Sequence, residues 1–260
     1  MSQRFSQITE TPGIGATREQ LAMLATRYGL AARHAGTGPV LEVACGTGIG
    51  LGLLADAAGS AVGSDIDPDN VRIAMGTWSD DKRIQVVAGD AAQLTHPDGT
   101  FTAVVCFEAL YYFPDLPRCL TEMVRVLRPG GKIVLCTVNP GWSGFNRSPF
   151  SREYPTPATL SPLLATLGCH VEVFGGFPDH PRGLVSRLIG TIRSVAVRFH
   201  LIPGSMRGKE LLKKLFLGGT VPMPARLTPH IAPSEPLLPL GNDTATAPVK
   251  VFYLVATRPA

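Results

Sequence analysis

The stretch of this sequence most able to do chemistry is a strand-like run that ends on an acid and passes straight into glycines. Val40-Leu41-Glu42-Val43-Ala44-Cys45-Gly46-Thr47-Gly48-Ile49-Gly50 reads as a strand, a glycine-rich turn and the start of a helix. That order brings backbone N–H groups against a ligand at the carboxyl edge of an open α/β sheet. Asp65 stands 23 residues beyond Glu42 at the end of the next strand-like run, where a carboxylate can accept both hydroxyls of a ribose. Ile66 beside it can pack on an adenine face. A dinucleotide would need G-x-G-x-x-G/A directly after the strand. Leu51 breaks that spacing, and Gly50-Leu51-Gly52-Leu53-Leu54-Ala55 has the letters but falls inside the helix. Glu42 also opposes a pyrophosphate by like charge, whereas it suits a ligand bearing an ammonium and a sulfonium.

The elements that position these residues follow an alternating rhythm. Thr17–His34 reads as a helix with Leu21, Leu24 and Tyr28 at helical spacing, followed by the strand Pro39–Val43. Ser60–Asp65 is a second strand, and Asp67-Pro68 opens a helix with proline in its first turn. Further strands are expected at Arg83–Ala88, Ala103–Phe107, Lys132–Thr137, Val171–Phe174 and Val249–Ala256, with a helix over Leu116–Leu127 stopped by Pro129-Gly130-Gly131. Continuous Val/Ile/Leu runs indicate a parallel sheet covered on both faces. Glu108, Tyr111 and Tyr112 follow the fourth strand, at the mouth of the pocket, and are the candidates for contact with a second substrate. Arg27 lies on the helix before the first strand.

Several of these motifs, in this order and spacing, resemble those of the class I S-adenosylmethionine-dependent methyltransferases. Residues 40–48 look like the family's first motif, and Val62-Gly63-Ser64-Asp65-Ile66-Asp67-Pro68 like its acidic ribose-binding turn. Ala88-Gly89-Asp90-Ala91 is similar to the adenine loop, which implies Asp90 at the exocyclic amine and a backbone N–H from Ala91. Phe101–Asp115, with Phe107, looks like the fourth-strand segment, and Val126–Lys132 like the turn before strand five. The resemblance covers about residues 20–140 and the terminal strand. It implies S-adenosyl-L-methionine as cofactor, held by Arg27, Glu42, Ala44, Gly46, Gly48, Asp65, Ile66, Asp90, Ala91 and Phe107, with Arg27 pairing with the methionine carboxylate. It implies a Rossmann-like seven-stranded, mostly parallel sheet with an antiparallel last strand, helices on both faces and a helical insertion before that strand. Ala44 stands where the family usually has glycine, Thr102 where it has aspartate, and Tyr111-Tyr112 where many relatives carry His-His. Tyr111 and Glu108 then become the catalytic candidates. The reaction implied is an in-line methyl transfer in a desolvated pocket to a small-molecule acceptor, foremost on oxygen.

Composition bounds the rest. The chain has 260 residues, is 45% hydrophobic and 17% charged, and is expected to bury a core as one domain: 1–35 an N-terminal cap, 36–175 the cofactor core, 176–247 a helical and Pro-rich acceptor cap, and 248–260 the terminal strand. Five scattered cysteines and an N-terminus without an apolar signal region point to the cytoplasm. Six histidines show no ligand spacing, so no metal is expected. Net charge is +4, yet residues 1–175 are net −3 while residues 176–247 are net +5. On a helical wheel, Arg182–His200 gathers its apolar residues on one arc bordered by Arg187 and Arg198 on one side and Arg182 and Arg193 on the other. This fits a helix in a membrane interface, a cap helix packed on the domain, or, with Lys209, Lys213 and Lys214, a site for an acidic acceptor. Nucleic acid is disfavoured by the few aromatics in that segment. The alternatives left open are a catalytically silent binder of S-adenosylmethionine tethered by the basic helix, and a methyltransferase for a lipid or quinone-like acceptor. Oligomeric state is not legible.

Overall fold

The computed structural model describes residues 5–7, 9–179, 220–241 and 248–260. A short strand β1 (Gly15–Ala16) leads into helix α1 (Arg18–His34), whose start is fixed by a reciprocal cap. Thr17 Oγ1 accepts from the Gln20 amide (3.2 Å), and Gln20 Oε1 accepts from the Thr17 amide (3.0 Å). Strand β2 (Gly38–Val43), helix α2 (Leu51–Ala58), strand β3 (Gly59–Asp65), helix α3 (Pro68–Thr77) and strand β4 (Ile84–Ala88) make the first half. Strand β5 (Phe101–Phe107), helix α4 (Leu116–Val126), strand β6 (Leu127–Val138), helix α5 (Pro157–Thr166) and strand β7 (His170–Pro178) follow. Strands β8 (Val221–Pro222), β9 (Leu238–Leu240) and β10 (Val249–Thr257) complete the described elements.

The main sheet runs β4-β3-β2-β5-β6-β10-β7-β9. Strands β2 to β6 pair in parallel, and β10 inserts antiparallel between β6 and β7. All seven residues of β5 are buried, as expected for a strand covered on both faces. One apolar layer, with Leu24, Tyr28, Leu51 and Leu54, lies under α1 and α2; the other, with Leu120, Met123, Leu160 and Leu164, lies under α4 and α5. All five cysteines are free and buried. No helix among the described residues is long and apolar enough to cross a membrane.

Two expectations are corrected and two are placed. The sheet has eight strands rather than seven, because Leu238–Leu240, inside the stretch read as a Pro-rich loop, pairs antiparallel with β7. Pro239 is tolerated there because β9 is an edge strand. Pro129-Gly130-Gly131 does not separate helix from strand: β6 already begins at Leu127, opposite Phe101, and a register shift between Phe101 and Ala103 absorbs the irregular run. Residues 220–241, expected as part of an acceptor cap, are tied to α1, to the turn before α2 and to Trp78 just past α3. The Glu235 amide donates to Thr26 Oγ1 (2.9 Å), the Leu227 amide to the Ile49 carbonyl (2.8 Å), and the Arg226 guanidinium sits 4.5 Å from the Trp78 ring centroid. The amphipathic stretch 182–200 and Lys209, Lys213 and Lys214 lie outside the described residues.

Candidate active site

The strand order reverses at β2, between β3 and β5, which opens a crevice at the carboxyl ends of these strands. The turn after β2 is built on three left-handed residues: Ala44 (φ 56°), Gly46 (φ 57°) and Gly48 (φ 70°). It is fastened from β3. The Cys45 amide donates to the Ser64 carbonyl (3.0 Å) and the Gly46 amide to Asp65 Oδ2 (2.8 Å). Asp65 Oδ1 accepts from the Asp67 amide (2.9 Å) and Asn70 Nδ2 (3.2 Å). Burial raises the Asp65 pKa, and those hydrogen bonds offset part of the rise. Three of about four acceptor positions on this carboxylate are thus taken inside the protein, so Asp65 shapes the turn as well as facing the crevice. The glycines at 50 and 52 serve packing: a Cβ on Gly50 would sit 2.0 Å from the Tyr28 ring, and one on Gly52 2.4 Å from the Trp78 ring.

Beneath the turn lies a buried polar group. Tyr28 donates its hydroxyl to Glu42 Oε1 (2.6 Å), while Glu42 Oε2 is buried without a partner. Burial pushes Glu42 up to about 7, against the Tyr28 hydrogen bond and the Arg27 charge. Arg27 sits between the Tyr28 and Phe107 rings, 5.8 and 5.9 Å from their centroids, and pairs with Glu10 (2.6 Å). Burial works against the Arg27 cation, but Glu10, Tyr28, Cys136 and Glu108 together outweigh it and the guanidinium stays charged. Its Nε is buried and unpartnered.

At the end of β5, Glu108 adopts a left-handed backbone (φ 52°), an uncommon conformation for a residue with a side chain. Its amide is tied to the Cys136 carbonyl (2.9 Å). Its carboxyl accepts from the Tyr111 hydroxyl (3.1 Å) and the Cys136 thiol (3.4 Å). Burial raises Glu108; the Arg27 charge and these two donors restrain the rise. Burial, then Glu108 itself, lifts the Tyr111 phenol well above its ordinary value. Rings gather beside it: Tyr154 stacks on Tyr111 at 4.4 Å, and Tyr112 meets Tyr111 at 4.6 Å and Phe5 at 5.4 Å. Thr102 is structural, donating to the Ala35 carbonyl (2.5 Å) between β5 and the turn after α1.

The structure therefore brings Arg27, Glu42, Ala44, Gly46, Gly48, Asp65, Phe107, Glu108 and Tyr111 around one crevice. Ile66 stands at the rim, 57% exposed, a large apolar side chain left open to solvent. Asp90 is exposed at the end of β4, with Oδ1 on the Ala92 amide (2.9 Å), and Ala91 is buried beside it. Residues missed from the sequence are Tyr28, read only as a core position of its helix, together with Glu10, Thr9, Asn70 and Cys136. Tyr28 carried a signal, since a buried tyrosine needs a partner for its hydroxyl; the polar N-terminal run carried none.

Residues 41–135 match the family of the methyltransferase domain. This segment is similar to a methyltransferase domain. Similar chains include a probable S-adenosylmethionine-dependent methyltransferase of Mycolicibacterium smegmatis, 35% identical over 148 residues, which are 55% of this chain and 56% of that one. A ubiquinone biosynthesis O-methyltransferase of Xanthomonas oryzae is 34% identical over 44% of this chain and 49% of its own. The chain thus spans about half the length of the curated relatives it matches. A solved S-adenosylmethionine-dependent methyltransferase from Archaeoglobus fulgidus superposes with a TM-score of 0.58 at 18% identity, over 94% of this chain and 95% of that chain, a likeness of fold. The crevice would meet the chemistry of S-adenosylmethionine with two orphaned buried atoms: Glu42 Oε2, an acceptor suited to an ammonium, and Arg27 Nε, a donor suited to a carboxylate. A carboxyl and a guanidinium side by side at the crevice fit the amino-acid end of S-adenosylmethionine.

Proposed function

We propose that this chain methylates a hydroxyl oxygen of a small-molecule acceptor, with S-adenosylmethionine as methyl donor and Glu108 as the group that takes the proton. The observation that carries this reading is Glu108 itself: a buried carboxyl on a left-handed backbone, held by Tyr111 and Cys136 and facing the Arg27 charge. When bound, the cofactor supplies an electrophilic methyl on a sulfonium sulfur. Glu42 and Arg27 hold its amino-acid end; Gly46, Gly48 and Ala44 keep the turn close; Asp65, Ile66, Asp90 and Ala91 take the ribose and adenine; Phe107 walls the crevice. Burial around Glu108 and Tyr111 excludes water, and their mutual hydrogen bond fixes where the acceptor hydroxyl can meet the carboxylate.

The acceptor is not named by these features. A quinone-like acceptor is the second reading, favoured by the likeness to the ubiquinone biosynthesis O-methyltransferase of Xanthomonas oryzae. Calorimetry with S-adenosylhomocysteine and NAD tests the cofactor assignment: binding of NAD alone would overturn it. Transfer of a labelled methyl group to a panel of phenols, catechols and quinols tests the rest. Glu108→Gln is expected to lower transfer by about 10²–10⁴-fold while leaving S-adenosylhomocysteine affinity within a few-fold. A variant that transfers at the parent rate removes Glu108 from the chemistry, and a chain that binds without transferring to any acceptor supports the silent binder. Co-sedimentation with anionic vesicles tests the membrane role of residues 182–200.

A further inference from the structure

Residues 5–7 and 9–14 lie across the crevice and touch the residues that the cofactor reading assigns to a ligand. The Ser6 amide donates to Asp67 Oδ2 (2.7 Å), and Thr47 Oγ1 donates to the Glu10 carbonyl (3.0 Å). Thr9 presses its methyl on the turn: a Cβ on Gly46 would come 2.7 Å from it. Two contacts carry ligand-like chemistry. Asn70 Nδ2, which also donates to Asp65, donates to Thr9 Oγ1 (3.2 Å), so a hydroxyl stands next to the acid of the second motif. Glu10 Oε2 stands 2.6 Å from Arg27, so a carboxylate occupies the one cation of the crevice among the described residues. One end of the segment is held by the Phe5 ring on Tyr112 and the other by the β1·β8 pair.

We propose that this N-terminal strap is an internal mimic of the ligand, resting on the cofactor reading above. Thr9 holds the place of a ribose hydroxyl and Glu10 the place of the amino-acid carboxylate, and both give way when S-adenosylmethionine binds. The orphaned atoms support this from a separate side. Arg27 Nε, Glu42 Oε2 and Asn70 Oδ1 are all buried without partners at the strap's contacts or beneath them. The strap answers the charge of Arg27 but not its second donor, and nothing in it answers Glu42. A ligand that carries both a carboxylate and an ammonium answers more of these atoms than the strap does, so exchange runs toward the ligand.

The exchange predicts opposite signs from those of an ordinary binding residue. In the full chain, Glu10→Gln removes the competing charge and should tighten S-adenosylhomocysteine by about fivefold, the scale of one partly exposed ion pair. It should leave 5′-methylthioadenosine, which lacks the amino-acid end, unchanged. Thr9→Val keeps the shape and removes the acceptor, and should tighten both ligands by about two- to fivefold. Hydrogen exchange on the unaltered chain gives a readout independent of any variant: amides of the strap should exchange faster with S-adenosylhomocysteine bound. Unchanged or weaker binding by Glu10→Gln, or strap amides that slow in the complex, would overturn the mimic and make the strap a clamp over the ligand. Failure of every variant to bind either adenosyl compound would overturn the cofactor reading and the mimic with it.

Discussion

Ala44 sits in the left-handed region with φ 56°, in the turn where the related motif has glycine. A Cβ there costs about 1–2 kcal/mol, while glycine's extra freedom in the unfolded chain returns about 0.5–1 kcal/mol. The strain exceeds the entropy, so Ala44→Gly should raise stability by about 0.5–1 kcal/mol in urea denaturation. A loss would mean that the Ala44 methyl, packed on the sheet's second apolar layer, is worth more than its strain. The backbone angle, which the sequence does not show, gives this substitution a definite sign. Tyr111 permits a second test at this scale. Its hydroxyl restrains the upward shift of Glu108, so Tyr111→Phe should raise the Glu108 pKa further. The acid limb of the pH–rate profile then moves to higher pH. An unmoved limb with a lower plateau would place Tyr111 in packing rather than in the proton path.

Helix α2 meets α1 where Tyr28 lies on Gly50, and meets the end of α3 where Trp78 lies on Gly52. Gly50→Ala would put a methyl 2.0 Å from the Tyr28 ring. The ring must then move, and its hydroxyl is the only partner of Glu42 Oε1 among the described residues. Overpacking costs about 1–3 kcal/mol, so Gly50→Ala should destabilise by at least about 2 kcal/mol and weaken S-adenosylhomocysteine at the same time. Stability falling without any change in binding would separate Tyr28 from the site. The motif residues were legible because each stands at a strand end, where composition and spacing fix position. The roles of Gly50, Tyr28 and Trp78 were not, because they depend on which side chains from three helical segments meet. The strap was invisible for a related reason: Glu10 and Arg27 are 17 positions apart, and the run between them has no periodic pattern. Edge strand β9 was hidden by its own Pro239, since proline argues against a strand wherever an inner position is assumed.

Across the whole molecule, Glu42 links folding to pH. Its carboxyl titrates near 7 in the folded chain against an ordinary value of 4.5. The stability it contributes is fully present below about pH 4.5 and is lost as pH rises through about 7. The loss is on the order of 3 kcal/mol, and Glu42→Gln should flatten that part of a urea-stability profile taken between pH 4.5 and 8. A profile as steep as the parent's would place the titration elsewhere. The other molecule-wide consequence comes from β10, which pairs along its length with β6 on one side and β7 on the other. Roughly 70 residues separate Pro178 from Val249. At about 5–20 residues per second, a ribosome takes about 4–14 s to make them. Through that interval the nascent chain carries two finished strands, each with a row of unpaired amides and carbonyls, and lacks the strand that joins them. The chain is at its most adhesive just before β10 is made, so its yield in a cell should follow chaperone supply during translation more closely than the stability of the finished fold.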